Sequence, residues 1–232
     1  RLPLKAIPKS AVFPIFQGPL RGRKWIVGSS LHGCWLGTYE FDKQQRFIST
    51  LKPGMVVYDI GANVGFYTLL SSVLVGPTGR VFAFEPLPRN ISYLRRHVEL
   101  NKLNNTSVIE KALSDREGTV TFEEAASHTM GRIGGSGGLE VPMTTVDLIR
   151  ERDGAPPPSL MKIDVEGAEL MVLKGAARTL RECRPTIFLA THGVDVHRDC
   201  CDFLRSLGFR LSPLSGGSVE TTDEILAEPV PA

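Results

Sequence analysis

Long apolar runs are missing from this chain. No stretch of about 18 apolar residues occurs among its 232, so no membrane-spanning helix is expected. A strong charge of one sign is missing too. Lysine and arginine number 27 against 25 acids, a net charge of +2, which removes the broad basic footprint of a nucleic-acid surface. Cysteine is scarce. Cys34, Cys183, Cys200 and Cys201 show no zinc-ligand spacing, and the adjacent pair is a poor disulfide candidate. Scattered thiols in a chain this long fit a reducing compartment, the cytoplasm. No internal repeat occurs. Arg1 rather than Met stands first, which leaves room for a targeting segment already removed. The remainder, 42% hydrophobic and 22% charged, is an ordinary globular composition, and the length suits one large α/β domain.

The most informative stretch is Val56-Val57-Tyr58-Asp59-Ile60-Gly61-Ala62-Asn63-Val64-Gly65. An apolar run ends in Asp-x-Gly-x-x-x-Gly, and a helix-compatible apolar stretch follows from Phe66 to Val75. That is a buried strand, a glycine turn and a helix start. Glycine allows the backbone to come close to a ligand. A second apolar strand, Val81 to Phe84, ends on Glu85, an acid well placed to accept both hydroxyls of a ribose. Nicotinamide folds use Gly-x-Gly-x-x-Gly without an acid before the first glycine. An anionic Asp59 beside the loop would repel a pyrophosphate. It suits a cofactor with an ammonium group, as in S-adenosylmethionine. The bland alternative is an Asp59 that caps the following helix.

Residues 1–52 read as an N-terminal extension that packs on the core, proline-rich at its start and with a helix over 42–51. Residues 53–232 read as the cofactor-binding domain. Strands are expected at 55–60, 80–85, 107–112, 160–164, 185–191 and 209–211, with a last one near 224–226. Helices are expected at 65–75, 88–101, 144–152, 168–180 and 195–207. Such alternation implies parallel strands with helical crossovers. Arg89, Arg95, Arg96 and His97 read as a solvated helix face. Short strands at 119–122 and 139–142 flank a glycine-rich stretch, 127–138, which is either a loop over the site or a surface hairpin.

Three blocks resemble the FkbM-type family of S-adenosylmethionine-dependent methyltransferases. The first runs from Leu51 to Tyr67 and contains the glycine turn. The second is Phe82-Ala83-Phe84-Glu85-Pro86 with Asn90 beyond. The third is Met161-Lys162-Ile163-Asp164-Val165-Glu166-Gly167-Ala168-Glu169, followed by Leu173-Lys174-Gly175-Ala176. The connecting segments Gly37-Thr38-Tyr39-Glu40, Ala112-Leu113-Ser114-Asp115 and Val141 to Asp147 fit as well. The resemblance covers roughly residues 37–211. It implies an α/β, Rossmann-like class I methyltransferase fold with a mostly parallel seven-stranded sheet flanked by helices. It also implies cofactor contacts from Glu40, Asp59, Gly61, Ala62, Asn63, Gly65, Phe66, Glu85, Pro86, Asn90, Ala112, Leu113 and Asp164. One departure stands out. The family ends its fifth strand on Glu-x-His, whereas Ala190-Thr191-His192 keeps the histidine and lacks the acid.

Asp164, Glu166 and His192 fall where strands end, the catalytic end of an open α/β sheet. Glu166 could instead cap the helix beginning at Ala168, and His192 could be structural. His128 is a base or a solvated loop histidine. No metal is expected, because two carboxylates are few for a dedicated site. Glu85 is expected beside solvent, so that its removal would weaken cofactor binding and leave stability nearly unchanged. The leading reading is O-methylation of a small-molecule hydroxyl, on a sugar, polyketide or other secondary metabolite. The alternatives are a methyltransferase acting on RNA or protein, and a non-catalytic cofactor-binding protein. An RNA enzyme would need a basic groove, and a non-catalytic relative would lack the acids.

Overall fold

Apolar segments of four or five residues alternate with amphipathic ones, and this alternation builds a layered α/β structure. A computed structural model describes residues 7–124, 131–133 and 138–230. The N-terminal segment carries a small hairpin, β1 (Val12–Pro14) and β2 (Lys24–Ile26), then α1 (His32–Leu36) and α2 (Phe41–Thr50). The main alternation follows: β3 (Val56–Ile60), α3 (Phe66–Val75), β4 (Arg80–Phe84), α4 (Pro88–Leu100) and β5 (Thr106–Ile109). A smaller group comprises β6 (Ala112–Leu113), β7 (Gly118–Glu124), β8 (Gly131–Ile133) and β9 (Leu139–Thr144). The alternation resumes with α5 (Val146–Glu151), β10 (Leu160–Ile163), α6 (Glu169–Gly175), α7 (Ala177–Cys183), β11 (Thr186–Ala190) and α8 (Val194–Ser206). The antiparallel strands β12 (Phe209–Pro213) and β13 (Glu224–Pro229) close the fold.

The seven-stranded sheet has the order β12-β13-β11-β10-β3-β4-β5. Its five strands from β11 to β5 are parallel, and β13 is antiparallel to both neighbours. The order reverses at the β3–β10 junction, which opens a crevice beyond the carboxyl ends of these strands.

Strand parity divides the core. Tyr58, Ile60, Met161, Ile163, Ile187 and Leu189 face one layer, with Val172, Leu180 and Leu204 of α6, α7 and α8. Val57, Leu160, Phe188 and Leu226 face the other, against Leu69 and Leu70 of α3. Trp25, Trp35 and Phe47 join that second layer. The N-terminal segment therefore shares the core of the sheet. Lys24 and Asn101 fasten it further, through the Lys24 amide on Oδ1 (2.8 Å) and the Asn101 amide on the Lys24 carbonyl (2.9 Å).

Three expectations change. The strand expected over 107–112 is two strands. β5 ends at Ile109, and β6 leaves the main sheet to pair in parallel with β9. The helix expected over 168–180 breaks at Ala176, because Asp147 of α5 caps the second piece. Its carboxylate accepts the amides of Arg178 (3.0 Å) and Thr179 (2.8 Å). His97 is not on a solvated face. It is 1% exposed and stacks on Trp25 at 3.9 Å, while Arg95 and Arg96 are exposed. His128 and most of the glycine-rich stretch lie outside the described residues. Among the described residues, no helix is long and apolar enough to cross a membrane.

Candidate active site

The crevice holds a cavity of about 500 Å³, within the size range of small-molecule sites. The β3–α3 turn forms its floor. Gly61 has φ +76°, and a Cβ there would lie 1.8 Å from the Asp164 carbonyl oxygen, so only glycine lets the two strand ends meet. Gly65, with φ +96°, abuts Leu94 of α4, and a Cβ would lie 2.5 Å from Leu94 Cδ1.

The amides of this turn are engaged internally. Those of Gly61 and Ala62 donate to the Phe84 carbonyl (both 3.0 Å), and that of Gly65 donates to the Ala62 carbonyl (2.9 Å). The Asn63 amide donates to Glu85 Oε2 (2.8 Å) and the Val64 amide to Asn63 Oδ1 (2.8 Å). The turn is therefore no phosphate cradle, which needs amides aimed at the ligand.

Glu85 is only 4% exposed, although it lines the cavity. Its Oε1 accepts the Leu87 amide (3.0 Å) and Asn90 Nδ2 (3.3 Å). Burial raises its pKa, and the hydrogen bonds from Leu87, Asn63 and Asn90 oppose that rise. Three partners leave about one of the carboxylate's four lone-pair sites for a ligand hydroxyl. The expectation that Glu85 sits beside solvent is thus corrected: it is a structural acceptor as well as a wall of the cavity.

Asp59 does not line the cavity. Strand parity turns it to the α3 side of the sheet, where it is fully buried and Thr68 Oγ1 donates to Oδ2 (2.5 Å). Its register neighbour on β10 is Lys162, whose Nζ lies 3.8 Å from Asp59 Oδ1 and 3.3 Å from Asp164 Oδ2. Lys162 also donates to the Gly61 carbonyl (3.1 Å). Asp59 therefore supports the crevice from behind instead of standing beside the loop. Glu40 is also off the cavity, accepting Tyr67 Oη (2.8 Å) and pairing with Lys43 (3.1 Å), and Gly65 is a packing position. Gly61, Ala62, Asn63, Phe66, Pro86, Asn90, Ala112, Leu113 and Asp164 do line it. Tyr39, Arg89, Phe122 and Lys162 join them. Nothing in a local motif marks Phe122, because β7 brings it there by folding back from outside the main sheet.

At the other side of the crevice three polar residues converge. Asp164 follows β10, Glu166 follows two residues later with φ +57°, and His192 follows β11. His192 Nε2 lies 3.4 Å from Glu166 Oε2 and 3.8 Å from Asp164 Oδ1. Its Nδ1 lies 2.8 Å from Oε1 of Glu169, a residue with no exposed surface. The same Oε1 accepts the Gly167 amide (2.9 Å). The carboxylate at the start of α6 that accepts backbone N–H groups is that of Glu169, not Glu166. Glu169 of α6 gives His192 a carboxylate partner although the strand-end acid is absent. The third block contains Glu169, but spacing alone does not show that it meets His192.

Electrostatics follow from these contacts. The hydrogen bond to Glu169 holds the His192 pKa above its ordinary value, aided by Glu166 and Asp164. Burial pushes Asp164 up, but Lys162, Lys43 and His192 bring it below the usual range. Burial raises Glu166, and Asp164 and Glu169 add to the rise.

A switch-point crevice with a buried acid after β4, an acidic corner after β10 and the sheet order given above defines a Rossmann-like methyltransferase fold. The chain belongs to the FkbM methyltransferase family, whose domain, "Methyltransferase FkbM domain", matches residues 59–211. S-adenosylmethionine is the cofactor of this family. Among curated relatives, the hexuronic acid methyltransferase AglP of Haloferax volcanii is 29% identical over 143 residues, 60% of this chain and 57% of that protein. The 31-O-demethyl-FK506 methyltransferase FkbM of Streptomyces tacrolimicus is 32% identical over 160 residues, 54% of this chain and 60% of that protein. The chain thus spans little more than half the length of these two relatives. Two solved structures share the fold. Methyltransferase FkbM from Methylobacillus flagellatus superposes with a TM-score of 0.55 at 18% identity, covering 85% of this chain and 53% of that one. An S-adenosylmethionine-dependent O-methyltransferase from Thermotoga maritima superposes at 0.54 and 12% identity, covering 97% and 79%.

Proposed function

We propose that this protein transfers a methyl group from S-adenosylmethionine to a hydroxyl of a small molecule, such as a sugar, a polyketide or another secondary metabolite. The observation that carries the reading is the pairing, across one cavity, of Glu85 with Asp164 and Glu166, which His192 adjoins from beside the cavity. The names of the two curated relatives, which concern a hexuronic acid and 31-O-demethyl-FK506, support a hydroxyl-bearing small acceptor.

The residues fit the cofactor. The remaining acceptor site on Glu85 suits a ribose hydroxyl, Ala112, Leu113 and Phe122 offer an apolar slot for the base, and the occupied turn amides disfavour a pyrophosphate. When bound, S-adenosylmethionine supplies an activated methyl on a sulfonium, which leaves with its bonding pair returning to sulfur. The chain's own work is to orient the acceptor and to exclude water. The Asp164–Glu166–His192 corner receives the hydroxyl, and its carboxylates draw the proton away as the new O–C bond forms. Lys162 favours the charged form of Asp164, whereas burial raises the Asp59 pKa and Lys162 only opposes that rise. We assign residues 53–232 to the methyltransferase domain and the extension 1–52 to the wall that carries Tyr39. Four free thiols agree with a reducing, cytoplasmic setting.

The test is incubation with S-adenosylmethionine and a panel of sugars, uronic acids and hydroxylated polyketides, read by mass spectrometry. A gain of one methyl on a hydroxyl supports the proposal. Methylation confined to RNA or to protein side chains overturns it.

A further inference from the structure

The corner after β10 and β11 has more geometry than acceptor binding alone requires. Asp164, Glu166 and His192 each offer one ligand atom, and these three atoms lie within 4.8 Å of one another. Two are carboxylate oxygens and the third is an imidazole nitrogen. Glu169 engages the other ring nitrogen at 2.8 Å, so a neutral His192 donates from Nδ1 and points the Nε2 lone pair at Glu166 and Asp164. Three electron-pair donors then face one another, an arrangement that requires a cation or a proton between them.

The second observation lies behind the ring. Glu169 has no exposed surface, and its Oε2 has no hydrogen-bond partner. A buried carboxylate behind a histidine is the arrangement that orients metal-ligating imidazoles and makes them better donors. Asp164 is braced in the same manner, with Oδ2 on Lys162 at 3.3 Å and Oδ1 turned to the corner. Three acids, Asp164, Glu166 and Glu169, meet Lys162 there, with Lys43 acting on Asp164 as well.

We infer that Asp164, Glu166 and His192 form a site for one divalent cation of the Mn²⁺ or Mg²⁺ type, which binds the acceptor hydroxyl. The ligand set is oxygen-rich with one imidazole, which suits Mn²⁺. Octahedral ligands at about 2.1 Å lie about 3 Å apart when adjacent, so spacings of 3.4 and 3.8 Å close by about 0.4 and about 0.8 Å on binding. Three protein ligands leave about three positions open. Asp164 and Glu166 line the cavity, so open positions face the acceptor. A hydroxyl bound to such a cation loses its proton more readily, and with both carboxylates engaged as ligands the proton passes to water instead of to them. The acceptor role rests on the methyltransferase reading, whereas the cation site stands on geometry alone.

The experiment is Mn²⁺ titration of the full chain, followed by electron paramagnetic resonance, without cofactor or acceptor. Wild type is compared with Glu166→Gln and His192→Gln, and circular dichroism confirms their folding. Glu166 is partly exposed, so its variant keeps the test valid if the His192 variant fails to fold. The expected result is one Mn²⁺ per chain, displaced by Mg²⁺, with affinity reduced more than about tenfold in Glu166→Gln. No stoichiometric Mn²⁺ in wild type, or an unchanged affinity in Glu166→Gln, overturns the site and means that a proton alone bridges the corner. S-adenosylhomocysteine binding on the same samples separates the two claims. Cofactor binding without Mn²⁺ removes the cation and spares the methyltransferase reading, and Mn²⁺ without cofactor does the reverse. Methylation that persists in chelator, after resonance shows the Mn²⁺ released, overturns the cation's role in acceptor binding.

Discussion

His97→Gln should flatten the acid side of the stability curve. His97 lies on α4 with 1% exposure, beneath the glycine turn. Its Nδ1 is 2.8 Å from the Val64 carbonyl, and its Nε2 is 3.0 Å from the Ile26 amide. A carbonyl needs a donor and an amide needs an acceptor, so the folded ring is neutral, with its proton on Nδ1. A second proton would face the Ile26 N–H. Burial lowers the pKa to about 4, the Val64 hydrogen bond opposes this, and Arg96 adds to it. The unfolded chain takes up that proton near 6.5. Between these values the unfolded state binds more protons, so stability falls as pH falls. The contribution is complete above pH 6.5 and lost as pH approaches about 4. At about 1.4 kcal/mol per pH unit it amounts to about 3 kcal/mol. Urea unfolding at a series of pH values reads it directly. Glu40, Asp164 and Glu169, whose pKa values are also lowered, lose stability in acid too, but they do so in parent and variant alike. The difference between the two curves should shrink by about 3 kcal/mol from pH 7 to pH 4. A constant difference across that range would refute the assigned tautomer and its energetics.

Other outcomes follow from the same geometry. Glu85→Ala should weaken S-adenosylhomocysteine binding by about 1.5–3 kcal/mol in calorimetry. It should also lower stability by about 2–4 kcal/mol in urea, because the Asn63 and Leu87 amides and the Asn90 side chain lose their acceptor. Unchanged stability would return Glu85 to a purely ligand-facing role. Gly61→Ala sets a Cβ against the Asp164 carbonyl at a positive φ, so a destabilisation of more than about 3 kcal/mol, or an insoluble product, is expected. Asp164→Asn should reduce methyl transfer at least about a hundredfold while the thermal midpoint moves by only a few degrees. Full activity in that variant would take Asp164 out of the chemistry.

Much of this was legible in the chain. The apolar strand, glycine turn and acid-ended second strand identify the crevice, because local backbone chemistry and strand parity are local properties. The alternation implies parallel strands, the resemblance implies a mostly parallel seven-stranded sheet, and the structure has that sheet. What was not legible depends on contacts between distant segments. Asp59 belongs to the glycine motif, but its partners are Lys162 and Thr68, chosen by register and by the helix above. Glu169 reaches His192 from another element, across 23 positions of sequence. His97, beside two exposed arginines, is buried because Trp25 of the N-terminal segment covers it. The split after Ile109 reflects pairing with β9, which no local propensity reports.

We propose that S-adenosylmethionine sits in this crevice, with Glu85 on its ribose beside an amide-saturated glycine turn. Isothermal calorimetry of the full chain with S-adenosylhomocysteine and, separately, with NAD tests it most directly. The expected result is one S-adenosylhomocysteine per chain, weakened in Glu85→Ala, and no heat from NAD. Tight NAD binding with no response to S-adenosylhomocysteine would contradict it.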